Sequence, residues 1–134
     1  MNRTTLHIVG GESRTRAEQA RIAFALGHHA EVYAELADLL ELPPRDGIIL
    51  AADDGGPHAA RRLIAGLGER GIWLPVVLVA ADPEIERVVA AIKAGALDYL
   101  ALPLEMGSFA RSLAAILAEA GPHAARRRRE VEAQ

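Results

Sequence analysis

The sequence predicts an α/β fold in which helices cover both faces of a five-stranded parallel sheet. Short apolar runs alternate with segments whose apolar residues recur at helical spacing along the 134 residues. The runs at 6–9, 47–52 and 75–80 are apolar almost throughout, as expected for strands buried on both faces of a parallel sheet. Right-handed crossovers between such strands give a (βα)5 three-layer sandwich.

Turn-forming and helix-breaking residues mark the ends of each predicted strand and helix. Glycine supplies the ends of several helices, and proline marks others because it cannot continue a helix. Ser13 is a suitable N-cap for the first helix. The predicted order is a strand at 6–9, a helix from Ser13 to Gly27, a strand at 30–33, a helix at 34–41, a strand at 47–52, a helix ending near Gly71, a strand at 75–80, a helix closed by Gly95, a strand at 98–102 and a helix that ends at Gly121-Pro122.

The fourth and third helices carry further local signals. Asp82 is a natural N-cap for the fourth helix, with Pro83 at its first position. Trp73 follows the third helix and is expected to pack at its end. The apolar stripe of the fourth helix consists of Ile85, Val88, Val89 and Ile92.

Composition excludes several classes of function. The absence of cysteine excludes disulfides, thiolate metal sites and a cysteine nucleophile, and it is typical of a cytoplasmic protein. No apolar run reaches the length of a membrane span. Before residue 126 the chain has 11 basic and 16 acidic side chains, which makes its body a poor surface for nucleic acid. The scattered histidines predict packing or surface roles and no metal site.

The last residues differ from the body in composition. Residues 1–121 are predicted to form the folded unit, and residues 122–134 a charged tail or linker toward a possible missing output domain. The run of four arginines at 126–129 is interpreted as a solvated helix end or linker, although it could contact phosphates.

Residues 70–104 carry a family resemblance. They read RGIWLPVVLVAADPEIERVVAAIKAGALDYLALPL, and the LPVV strand, the AIKAGALDYL junction and the following proline resemble a FixJ-like receiver domain of bacterial response regulators. The match extends from Leu6 to Ala120 without an insertion. The resemblance implies a CheY-like, flavodoxin-like fold, a role in two-component phosphorelay signal transduction and a cis peptide bond before Pro103.

The phosphorylation chemistry of that family is missing at the matching positions. A working receiver needs an acidic pair for Mg²⁺, an aspartate nucleophile, a hydroxyl and a lysine. These functions fall on Gly10 and Gly11 (acidic pair), Ala52 (nucleophile), Ala80 (hydroxyl) and Leu102 (lysine). The sequence therefore predicts a degenerate pseudo-receiver that is not an enzyme, binds no Mg²⁺ or other metal and is not phosphorylated.

Three acidic residues near this pocket leave alternatives open. Counting back four residues from Pro57 makes Asp53 resemble the phosphoacceptor, so a phosphorelay role through Asp53 is an alternative. Glu12, Asp53 and Asp54 could together hold a cation, since their loops adjoin in the fold. The competing interpretation is that they are solvated loop acids, with one of the aspartates capping the next helix.

Protein contact is the function that the sequence favours. Tyr99 matches an aromatic that changes position in receivers, although here it could be static. The protein is expected to regulate an attached transcriptional output domain, which would supply any contact with DNA. An alternative is that a small ligand binds the emptied pocket near Gly10, Gly11, Ala52 and Ala80. The predicted surface for a homodimer or protein partner lies on helix 4, strand 5 and helix 5 and carries Arg87, Ala91, Lys93, Tyr99, Arg111 and Ala115.

Overall fold

The structure is a computed structural model that describes residues 3–133. Five strands alternate with five helices, as the sequence predicts. The strands are β1 (Thr5–Val9), β2 (His29–Tyr33), β3 (Ile48–Ala52), β4 (Val76–Ala80) and β5 (Asp98–Ala101). The helices are α1 (Ser13–Ala25), α2 (Leu36–Glu41), α3 (Ala59–Glu69), α4 (Ile85–Ala94) and α5 (Met106–Glu132).

All four strand pairs are parallel, in the order β2-β1-β3-β4-β5. The predicted five-stranded α/β sandwich is therefore confirmed. The order reverses direction after β1 and β2, so the carboxyl ends of β1 and β3 flank a topological switch point, where open α/β sheets place their sites. The peptide bond between Leu102 and Pro103 is cis, as the family resemblance implies.

Alternate residues of the central strands enter two separate cores. Leu6, Ile8 and Leu50 pack with residues of α1 and α5 on one side of the sheet. Ile49 and Leu78 pack with residues of α3 and α4 on the other side. The two cores are the physical reason why these strands are apolar along their whole length.

The predicted N-caps differ from the observed ones. Helix α4 begins at Ile85 with Glu84 at its N-cap position, two residues later than the expected cap at Asp82. Helix α1 begins at Ser13 itself, and Glu12 holds the N-cap position without a side-chain hydrogen bond. Short polar residues favour these positions, but the start of a helix also depends on where the preceding loop leaves the sheet.

Most of the predicted apolar stripe of α4 points to solvent, and only Val88 is half-buried. Ile85 is 81% exposed, and Val89 and Ile92 are each 45% exposed. The residue of α4 that reaches the core is Ala91, which is fully buried. Ala91 was expected on the interaction surface, and that expectation is wrong because its small side chain lets α4 approach the sheet closely.

Helix α5 does not end at Gly121-Pro122. It continues as one helix to Glu132 with Pro122 inside it, so the predicted helix end is wrong. His123 and Arg127 are buried on this extension, at 8% and 6% exposure. His123 Nε2 lies 2.8 Å from the carbonyl oxygen of Gly95, the C-cap of α4.

Arg127 is the second anchor of the extension. Its guanidinium donates to the carbonyl oxygen of Leu74 over 3.1 Å and lies over the Trp73 ring, 5.6 Å from the centroid. Burial lowers the pKa of Arg127. The expectation that the arginine run is a solvated helix end is wrong for this residue, whereas its three arginine neighbours are exposed. The division of the chain after residue 121 stays a prediction.

Within residues 3–133, no helix has both the length and the apolar character needed to cross a membrane.

Candidate functional site at the carboxyl end of the sheet

The loops that follow β1, β3, β4 and β5 form the walls of a cavity of about 460 Å³ that opens to solvent. A neighbouring cavity of about 380 Å³ lies against β1, β3 and α2 and includes Gly10. The structure thus brings together the residues that the sequence assigns to a degenerate phosphorylation pocket. The larger cavity is lined by Gly11, Glu12, Thr15, Ala52, Asp53, Asp54, Val79, Ala80, Ala81 and Leu102.

The loop that contains Gly10 and Gly11, after β1, lies close to Ala52. Gly10 and Gly11 have φ angles of 81° and 72°, a conformation that L side chains rarely adopt. A Cβ atom on Gly11 would lie 3.3 Å from the Cβ of Ala52, which is tighter than ordinary contact. The guanidinium of Arg16 donates to the carbonyl oxygens of both glycines. An acidic pair would therefore need a different loop conformation here.

Asp53 is the most constrained acid of the site. Its side chain is 2% exposed, and its Oδ1 accepts a hydrogen bond from Arg87 Nη2 over 2.5 Å. Its Oδ2 accepts from Arg87 Nε over 3.2 Å and from the Tyr99 hydroxyl over 2.6 Å. Arg87 Nη2 also donates to the carbonyl oxygen of Gly55 over 3.1 Å. Both carboxylate oxygens are therefore occupied by donors from α4 and β5.

The electrostatics of the three side chains follow from this contact. Burial, and then the hydrogen bond to Asp53, raises the pKa of Tyr99 to about 12. The hydrogen bond to Asp53 also raises the pKa of Arg87. Tyr99 is therefore a neutral donor and Arg87 a permanent cation, and together they surround one carboxylate.

The structure corrects the interpretation of these loop acids. Asp53 is not a helix cap, since His58 holds the N-cap position of α3. Asp54 is exposed, as a solvated loop acid would be. Among the described residues, no group of three histidine, aspartate or glutamate side chains lies close enough together to hold a metal ion.

Arg87 has a contact in the site that the sequence did not predict. It was expected on an interaction surface, but its side chain is only 25% exposed and reaches into the site. Asp53 lies 34 positions earlier in the chain, and no local spacing relates the two. Lys93, Arg111 and Ala115 are exposed as expected for a surface, whereas Tyr99 is half-buried.

The buried histidines serve as packing and hydrogen-bonding groups. His7 lies between the Tyr33 hydroxyl, at 3.1 Å, and the carbonyl oxygen of Asp46, at 2.9 Å. His28 Nδ1 accepts from the backbone N–H of Thr4 over 3.2 Å, and burial lowers the pKa of His28. These contacts involve β1 and the residue that precedes it, and neither histidine lines the cavity.

Comparison with known proteins gives the following relatives. No family model matches the chain. The Transcriptional regulatory protein FixJ of Rhizobium meliloti (strain 1021) is 25% identical over 103 residues, which cover 75% of this chain and 50% of that protein. The chain thus spans half the length of this relative.

Solved structures share the fold. Full-length FixJ from B. japonicum superposes with a TM-score of 0.79 at 14% identity, over 92% of this chain and 62% of that one. The chemotaxis protein CheY4 of Vibrio cholerae superposes with a TM-score of 0.70 at 14% identity, over 86% and 99% of the two chains. These similarities show that the fold is the CheY-like receiver fold.

Proposed function

We propose that this chain, a receiver domain of the type found in FixJ and CheY response regulators, signals through protein contacts without aspartyl phosphorylation. The observation that carries this proposal is the state of Asp53, whose two carboxylate oxygens already accept hydrogen bonds from Arg87 and Tyr99. The acid nearest to the ancestral acceptor position thus has a structural role.

The charges around the cavity support the same conclusion. A phosphoryl group brings close to two negative charges and needs a cation or metal to offset them. Leu102 stands where a receiver has its lysine, and Gly10 and Gly11 stand where it has its acids. Arg87 and Arg16 are nearby cations, but both guanidinium groups are already engaged. Arg87 donates to Asp53 and to two backbone carbonyl oxygens, and Arg16 donates to the carbonyl oxygens of Gly10 and Gly11.

Phosphorylation of Asp53 is the less favoured alternative. A nucleophilic carboxylate must present a free oxygen lone pair to the phosphorus atom. Asp53 Oδ1 accepts only one hydrogen bond, but the side chain is 2% exposed, so a phosphoryl donor could reach this oxygen only if the surrounding side chains or loops moved. The resulting acyl phosphate would then lack both a metal ion and a lysine.

The exposed surface of α4 supports protein contact. Ile85, Val89 and Ile92 form an apolar stripe on a helix whose neighbouring surface also carries Lys93. Apolar stripes bordered by polar side chains are typical of association surfaces. We assign a homodimer or partner contact to this stripe and to the exposed residues Arg111 and Ala115 of α5.

The domain's output is proposed from its relative. FixJ is a transcriptional regulatory protein, and the matched region covers half of it. We propose that the domain regulates an attached output domain of this kind, which would make the contact with DNA. The body of the chain is acidic and offers little to nucleic acid itself.

The decisive experiment is intact-mass measurement after incubation with acetyl phosphate and Mg²⁺, with a phosphorylatable CheY-type receiver in a parallel reaction as positive control. We expect no gain of a phosphoryl group, and no beryllofluoride-induced NMR shifts around residues 52–54. A phosphoryl group that appears on the wild type and is absent from Asp53→Asn would overturn the proposal and establish the phosphorelay alternative.

A further inference from the structure

The exposed face of α4 is complementary to itself when it is turned end for end. Ile85, Val89 and Ile92 form its apolar stripe, at 81%, 45% and 45% exposure. Glu86 in the first turn and Lys93 in the last turn are exposed as well. We infer that this face binds a second copy of the chain with the two α4 helices antiparallel, so that Glu86 of each copy pairs with Lys93 of the other. This pairing rests on the contact proposed for the stripe and specifies its partner and orientation.

The spacing of the two charges supplies the complementarity. Residues seven positions apart lie on the same side of a helix, about 10 Å apart along its axis. Glu86 and Lys93 have this spacing, and each follows one of the two isoleucines of the stripe, so both lie along the same side of it. A two-fold axis that crosses α4 between Val89 and Ala90 therefore brings Glu86 of one copy level with Lys93 of the other, at two equivalent places.

The same two-fold axis interleaves the apolar side chains. Ile92 of the second copy falls at a height between Ile85 and Val89 of the first, so side chains of one helix enter the gaps of the other. A parallel pair would instead place Glu86 against Glu86 and Lys93 against Lys93. The macrodipoles of the two helices also favour the antiparallel arrangement, because each positive end then lies beside a negative one.

The contact between Arg87 and Asp53 keeps the exposed charges of α4 separated by sign. Arg87 lies two residues from both Ile85 and Val89, which places it on the opposite side of the helix from the stripe. Its guanidinium donates to Asp53 and to the carbonyl oxygen of Gly55, and its side chain is only 25% exposed. It therefore does not offset the acidic first turn, and the exposed face keeps one acidic and one basic end.

Charge reversal in the full chain tests the pairing, with the dimer dissociation constant measured by sedimentation equilibrium at low salt. Glu86→Lys and Lys93→Glu should each weaken the dimer about five- to tenfold, because each puts like charges together at both equivalent places. The double variant Glu86→Lys/Lys93→Glu restores opposite charges and should return to within about twofold of the wild type. Glu41→Lys makes the same change of charge at the exposed end of α2 and is the control.

Cross-linking tests the orientation independently, since the chain contains no cysteine. Val89→Cys places a thiol close to the two-fold axis. Ile85→Cys places one about 13 Å along the axis from its equivalent in an antiparallel pair, but level with it in a parallel pair. A disulfide needs Cα atoms within about 7 Å, so we expect Val89→Cys to form the covalent dimer faster than Ile85→Cys under oxidation.

Separate outcomes contradict the orientation and the homodimer. A wild-type dimer that neither single reversal weakens, a double variant as weak as the single ones, or Ile85→Cys cross-linking at least as fast as Val89→Cys would overturn the antiparallel pairing while leaving a contact through the stripe. A wild type that is monomeric at every concentration would overturn the pairing and the homodimer together. The absence of phosphorylation is judged separately, by intact mass.

Discussion

Asp53 shows how one buried carboxylate can link elements that lie far apart in the sequence. It follows the last residue of β3 and holds together a helix and a strand that come later in the chain, through Arg87 and Tyr99. A charge-assisted hydrogen bond at a nearly buried carboxylate is stronger than one in solvent. The acid therefore contributes to the position of α4.

We predict that Asp53→Asn lowers the free energy of unfolding by about 1–3 kcal/mol, because Arg87 loses its counter-charge in a half-buried setting. Urea unfolding measures the effect. Asp54→Asn is the matched control, since it removes the same charge from the exposed neighbour and should change stability by less than about 0.5 kcal/mol. Equal effects of the two variants would mean that the contact with Arg87 does not contribute to the free energy of unfolding.

Two buried histidines make a pH dependence predictable. Burial is the main cause that lowers the pKa of His28 and of His123 below 6.5. Below about pH 6.5 these histidines bind protons more readily in the unfolded chain than in the folded one. The folded state therefore has its full stability above that pH, and it loses stability as the pH falls toward the folded-state pKa values of the two histidines.

We expect Tm to fall between about pH 7 and pH 5.5, and His123→Gln to reduce that dependence, because glutamine can still donate to the Gly95 carbonyl oxygen but does not titrate in this range. Differential scanning fluorimetry across the pH series provides the measurement. His29→Gln, at an exposed histidine, is the control. A slope that His123→Gln leaves unchanged would assign the pH dependence to other groups.

At the residue level, the local sequence pattern predicted some features of the site and missed others. That Gly11, Ala52, Ala80 and Leu102 would line one cavity was predictable, because each of them lies at the carboxyl end of a predicted strand. The Arg87–Asp53 pair and the Arg127–Trp73 contact were not, since each joins residues more than 30 positions apart. Arg127 looked like its exposed neighbours in a run of four arginines, and only the direction of the helix buries it.

Among the elements, α4 shows the limit of periodicity. Helical spacing identified a stripe of four apolar residues, of which only Val88 is half-buried, but spacing does not say which side of a helix faces the core. The decisive residue is Ala91, whose short side chain permits close packing. A helix can thus be amphipathic and still turn its larger apolar side chains to solvent.

The extension of α5 shows the limit of breaker residues. Proline removes one backbone donor and normally ends or bends a helix, at a cost of about 3 kcal/mol in a helix interior. Here the chain continues as a helix past Pro122, and the contacts of His123 with Gly95 and of Arg127 with Leu74 hold it against the body. Tertiary contacts offset the local preference.

We predict that Arg127→Ala destabilises the protein by about 1–3 kcal/mol and increases amide hydrogen exchange in residues 123–132, because the guanidinium contact, the cation–π contact and the packing of the aliphatic stem are all lost. Arg126→Ala removes the same side chain at an exposed position of the same helix and should be nearly neutral. Equal protection in the two variants would contradict the anchoring role.

For the whole molecule, the fold was predictable because alternating buried strands and helices leave few topologies once right-handed crossovers are required. The exposure of individual residues was predicted less well, since Ala91 was expected at the surface and is buried. Val89 and Val32 allow a direct test. They are the same residue type with similar exposure, 45% and 53%, on α4 and on the edge strand β2.

We expect the wild type to sediment as a concentration-dependent dimer, and Val89→Asp to shift it to monomer by placing a charge in the apolar stripe. Val32→Asp should leave the distribution unchanged. Sedimentation velocity separates the species. A wild type that is monomeric at every concentration, or a dimer that survives Val89→Asp, would exclude a homodimer through this stripe.

The path of α5 also matters for anyone who dissects this protein into fragments. A fragment cut at the tempting Gly121-Pro122 position would lack His123 and Arg127 and leave the carbonyl oxygens of Gly95 and Leu74 without those donors. It would also uncover one face of Trp73. Poor behaviour of such a fragment would reflect the missing helix, and tryptophan fluorescence would report the loss directly.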